Sequence, residues 1–164
     1  MGTPGKQPIN HSKPTIWAIG YGNRLRQDDG IGFHVIDRLR HRFGSVSGIH
    51  LHSDHQLGPE LATDICSATA VIFIDASLNP LPKGRTWRRI RPESCQTGIT
   101  HSLSASALIS LVMCLYPRCP PAWMVSVQGT DFEFGDGLSP QAMASAIRVA
   151  DETGRIIDYW YRRS

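Results

Sequence analysis

The segment Gly20-Tyr-Gly-Asn-Arg-Leu-Arg-Gln-Asp-Asp-Gly-Ile-Gly32 constrains the fold more than any other stretch. It follows an apolar run, Thr15 to Ile19, and leads into apolar residues at helical spacing. A strand, a tight turn and a helix start are thereby placed in succession. Glycine allows turns that a Cβ would block, so the unit has the outline of a phosphate-cradling loop. Its chemistry opposes that reading. A phosphate needs bare N–H groups at a helix N-terminus, whereas this turn puts two carboxylates, Asp28 and Asp29, where the anion would sit. The pair favours a cation.

Further along, Ile31, Val35, Ile36 and Leu39 predict a first helix from about Asp29 to Arg42. Gly48 to His52 alternates as a half-buried strand does, and Pro59 to Ile65 reads as a short helix with proline in its first turn. The unbroken apolar run Ala70 to Ile74 is typical of a central parallel strand covered on both faces, and Asp75 ends it. Ser77 to Gly84 is punctuated as a loop, and Arg85 to Arg91 reads as a strand near an edge. Leu103, Ala107, Leu108, Leu111 and Leu115 form a helical stripe that Pro117 and Pro120 bring to an end. Trp123 to Val127 is a last strand, and Ser139-Pro140 supplies an N-cap and an N1 proline for the final helix. Helices alternate with strands throughout, which predicts an α/β architecture with helices on both sheet faces.

At 164 residues the chain has the size of one domain, which buries roughly two-thirds of its unfolded surface without help from disulfide or metal. The reading is a single α/β domain over residues 15–164, preceded by a flexible polar tail over residues 1–14. A net charge of +3 is too small to argue for nucleic acid. Arg85, Arg88, Arg89 and Arg91 around Trp87 read as a solvated face, with an electropositive docking strip as the alternative. Cys66, Cys95, Cys114 and Cys119 form no CxxC pair and no secretory segment precedes them. Reduced thiols and a cytoplasmic location are expected.

Ligands of open α/β sheets collect outside the carboxyl ends of the strands. Asp29 follows the first strand, Asp75 ends the central one, and His101 lies just before the third helix. Two carboxylates and an imidazole suit a borderline divalent ion such as nickel or zinc, and three protein ligands leave coordination positions open. Each residue also has a plain alternative. Asp28 or Asp29 can serve as a helix N-cap, Asp75 can cap the loop after it, and His101 competes with six other histidines among the seven.

The sequence Gly20-x-Gly-Asn-x-Leu-x-x-Asp-Asp-Gly-x-Gly32, then Phe73-Ile-Asp-Ala76, then His101, resembles the hydrogenase maturation endopeptidases in order and spacing. The likeness extends through His55 to Leu61 and Gly135 to Pro140. It implies a three-layer α/β/α fold with a twisted, mostly parallel five-stranded sheet. It also implies an activity: removal of a short C-terminal extension from the large-subunit precursor of a nickel-iron hydrogenase, after nickel insertion. The family's metal-contacting positions fall on Asp29, Asp75 and His101. Some members carry Glu where this chain has the shorter Asp29.

On that resemblance, Asp29, Asp75 and His101 contact nickel carried by the precursor, and the protease tests whether the metal is present. Whether these residues also catalyse is open, since a metal-activated water and a carboxylate general base of the aspartic-protease kind both fit. No Gly-x-Ser-x-Gly elbow surrounds Ser77. The expected protein is a monomer with no tightly bound cofactor and no nucleic-acid or membrane partner. A noncatalytic metal-sensing chaperone of the same precursor and a nucleotide-binding module are the alternatives.

Overall fold

The computed structural model describes residues 13–92 and 103–163. Most of the tail read at 1–14 lies outside these residues. Five strands, β1 (Ile16–Tyr21), β2 (Ile49–Asp54), β3 (Ala70–Ser77), β4 (Arg85–Arg89) and β5 (Ala122–Gln128), form one sheet in the order β2-β1-β3-β5-β4. Strands β2, β1, β3 and β5 are parallel, and β4 runs antiparallel to β5 at the edge. The mostly parallel five-stranded sheet expected above is therefore present.

Among the described residues, four α-helices cover the sheet. Against one face lie α1 (Ile31–Phe43) and α4 (Pro140–Arg163), whose Val35, Ile36, Val149 and Ile157 pack on Ile16, Ala18, Ile72, Ile74 and Val125. Against the other lie α2 (Leu61–Ile65) and α3 (Ala105–Leu115), whose Leu61, Ile65, Leu108 and Ile109 pack on Ile19, Val71 and Phe73. Successive residues of β1 and β3 thus feed two separate apolar layers. This is why the central run is apolar without interruption.

The boundaries differ from the sequence reading where a partner element decides them. Strand β3 continues past Asp75 to Ser77 because β5 keeps pairing with it through Ser77 and Gln128, whereas the β1 ladder stops at Ile74. Strand β1 runs into the glycine segment as far as Tyr21, and Asp28 and Asp29 sit in a 3-10 turn, Gln27–Gly30, ahead of α1. Ser139 caps α4 as its sequence predicts, its Oγ accepting from the Ala142 amide at 3.2 Å. Helix α3 is capped by Ser104, which accepts from the Ala107 amide.

One expectation is corrected. Of the cysteines read as reduced, Cys66 and Cys119 are free but Cys114 is disulfide-bonded. It lies on the exposed face of α3, and proximity in the fold, which carries no sequence spacing, brings thiols together.

Candidate functional site

Strand order reverses at β1 and β3. The chain leaves β1 toward β2 on one side, while β3 is flanked on the other by β5, so their carboxyl ends frame the crevice where such sheets place ligands. Asp29 comes from the turn after β1, and Asp75 comes from β3 itself.

Asp29 is fixed by the glycine segment. Gly22 has φ +138, and a Cβ there would lie 2.0 Å from the Asp29 carbonyl oxygen, so only glycine lets the turn fold this tightly. The Asn23 amide then donates to Asp29 Oδ2 at 3.0 Å, while Asn23 Oδ1 accepts from the Leu25 amide at 2.9 Å. The Gly-Asn pair of the motif is thus a cradle for one carboxylate.

Asp28 has the opposite environment. It is fully buried and makes no helix-capping bond to its own turn, so the N-cap alternative gives way to a different role. Its carboxylate accepts from the amides of Thr130 (2.7 Å), Asp131 (3.0 Å) and Ser139 (2.7 Å) and from the Ser139 hydroxyl (2.8 Å). Burial pushes its pKa up, but these donors outweigh burial and hold the carboxyl below its ordinary range. Around it the two loops are laced together by Gln27 N to Gly135 O, Asp28 N to Asp131 O and Gly135 N to Leu25 O. Asp28 therefore builds the platform on which Asp29 stands.

Asp75 is partly buried, and its carboxyl is pushed up to about 6. Burial is the main cause; hydrogen bonds from the Tyr21 hydroxyl and the Ala76 amide oppose it, and the nearby Asp29 charge adds to it. At neutral pH Asp75 is still mostly ionised, so two acids share the crevice and the site attracts cations. Burial also raises the Tyr21 pKa, with the Asp75 charge adding to it.

His101 lies outside the described residues. Leu103, two positions on, forms an isolated β-bridge with Leu57, in the loop where His55 Nδ1 lies 3.2 Å from the Gly22 carbonyl oxygen. Among the described residues no three His, Cys, Asp or Glu side chains form a metal-holding group; Asp29 and Asp75 are the two candidate ligands that can be placed. Sequence reading missed Tyr21 and the buried role of Asp28. The first depends on strand register and the second on a distant loop, neither of which leaves a local signal. Of the basic strip, Arg85 is paired with Glu152 on α4 and Arg89 lies over the Trp123 ring.

No family model matches the chain. Among curated proteins, it is 26% identical over 143 residues to the hydrogenase expression/formation protein HupD of Thiocapsa roseopersicina, an alignment covering 79% of this chain and 62% of that protein. Among solved structures, it superposes on the NiFe hydrogenase maturation protease HycI from Thermococcus kodakarensis with a TM-score of 0.69 at 19% identity, covering 92% of this chain and 96% of that one. The hydrogenase maturating endopeptidase HybD from E. coli gives a TM-score of 0.69 at 21% identity, covering 85% and 89%. The fold is that of the hydrogenase maturation proteases. The resemblance read from the sequence is borne out, since the curated relative is called a hydrogenase expression/formation protein and these structures maturation proteases. In this maturation-protease fold, Asp29 and Asp75 occupy the strand-order reversal.

Proposed function

We propose that this chain is an endopeptidase that removes the C-terminal extension of a nickel-iron hydrogenase large-subunit precursor, with the inserted nickel as its recognition signal. The observation that carries the reading is the pair Asp29 and Asp75, held at the switch point of the sheet by Asn23 on one side and Tyr21 on the other. Together with His101, which the family resemblance adds, they contact nickel brought by the precursor. The metal is thus part of the substrate, and the free protein works as a monomer with no tightly held ion. A protein substrate also accounts for two exposed apolar side chains on the two loops joined by the Gly135 N to Leu25 O bond, Leu25 at 54% and Phe134 at 82%.

Ionised Asp75 has two uses in this reaction. It can help contact the nickel, which docks the precursor with its scissile peptide at the crevice, and it can accept a proton from an attacking water. Asp75→Asn keeps the shape and removes both capacities, because an amide cannot take up the proton and is a poorer metal ligand. The test mixes purified protein with nickel-loaded and nickel-free precursor and follows precursor mass. Cleavage of the loaded form alone is expected, and Asp75→Asn should abolish it. Unchanged mass with retained binding would identify a noncatalytic chaperone instead.

A further inference from the structure

The β1/β3 ladder runs in register from Ile16 opposite Ala70 to Gly20 opposite Ile74. One position beyond the last paired step, Tyr21 and Asp75 are joined through their side chains. Paired residues of adjacent strands point to the same face, here the face on which Ile19 and Phe73 pack one pleat earlier. On that face Tyr21 is partly buried against the α2/α3 layer, which fixes its ring. Its chain neighbours Gly20 and Gly22 carry no side chains, and its register partner on β2 is Asp54. Its hydroxyl donates to the Asp75 carboxylate, and the Ala76 amide donates as well.

We propose that Tyr21 is a positioning residue, which fixes the rotamer of Asp75 so that one carboxylate oxygen stays directed at the open end of the sheet. The inference rests on the function proposed above for its kinetic consequence but not for the contact itself. The donor set explains the geometry. A carboxylate offers about four acceptor sites on two oxygens, and two donors from the sheet side occupy part of that capacity while leaving the remainder for a substrate. Without the phenol, Asp75 keeps its own backbone neighbour as a donor but loses the lateral one, and its side chain can rotate toward Ser126, its register partner on β5.

Two measurements test this. With tyrosine labelled at the phenol carbon, the Tyr21 signal in wild-type protein should shift in Asp75→Asn and stay in place in Asp29→Asn; an unmoved signal in Asp75→Asn overturns the contact. In the processing assay, Tyr21→Phe keeps the ring and its packing. It should lower kcat/KM by about ten- to a hundredfold with an unchanged melting temperature, and wild-type cleavage would overturn the positioning role. If the wild-type protein itself leaves the precursor uncut, the proposed function fails, while the labelled-tyrosine measurement still decides the contact.

Discussion

Asp28 keeps its carboxylate in the interior because Thr130, Asp131 and Ser139 bring donors to it, while Asp75 keeps its own near an open crevice with fewer. The two acids therefore respond to pH in opposite senses. The folded pKa of Asp28 lies below the ordinary 3.8, so the stability it contributes is full above that value and is lost as pH falls through the lowered one. Asp28→Ala strands several buried donors and should cost about 3 kcal/mol or more in urea unfolding at pH 7. Asp75 is raised from 3.8 to about 6, so the native state holds the proton more tightly and stability declines as pH rises between those values. Asp75→Asn should accordingly be more stable than wild type at pH 7, by up to about 3 kcal/mol, and show little gain at pH 4. Thermal melts at the two pH values check the sign. Asp75 was legible because an acid directly after Ala70 to Ile74 must stand at a strand end. Tyr21 was not, because its partnership with Asp75 is a matter of register between strands far apart in the chain.

At the scale of elements, the approach of α1 to β1 is set by absent side chains. A Cβ on Gly32 would lie 2.7 Å from the Tyr21 nitrogen and 2.8 Å from the Ile74 oxygen, and one on Gly20 would lie 2.2 Å from the Gly32 oxygen. All of these neighbours are backbone, which cannot step aside, so Gly32→Ala should destabilise by about 3 kcal/mol or more. Gly30→Ala, whose Cβ would sit 3.3 Å from Arg24 Cα, should cost about 1 kcal/mol. Chemical denaturation of the two variants side by side tests the contrast. The motif's glycines were visible in the sequence, but which serve the turn and which the helix contact was not. Strands and helices were legible from their periodicity; their ends were less so, because β3 stops where β5 stops and α3 begins where Ser104 caps it.

Across the whole molecule, the edge strand β4 is fastened to α4 by Arg85 and Glu152, a half-buried bidentate pair. The Arg85 hydrogen bond is the main reason the Glu152 carboxyl lies below its ordinary range. Glu152→Gln should lower stability by about 1–2 kcal/mol, read from denaturant midpoints, with the proposed cleavage preserved because Arg85 and Glu152 pair with each other and not with Asp29 or Asp75. No helix among the described residues is long and apolar enough to cross a membrane.

The clasp between Asp28 and the second loop also orders events in time. Its donors lie 102, 103 and 111 residues downstream. A chain emerging from the ribosome would carry the acid turn long before the segment that seats it had been made. Until Ser139 arrives, Asp28 has no interior to occupy and Asp29 no platform. On the function proposed above, the capacity to cut is withheld until synthesis has passed Ser139.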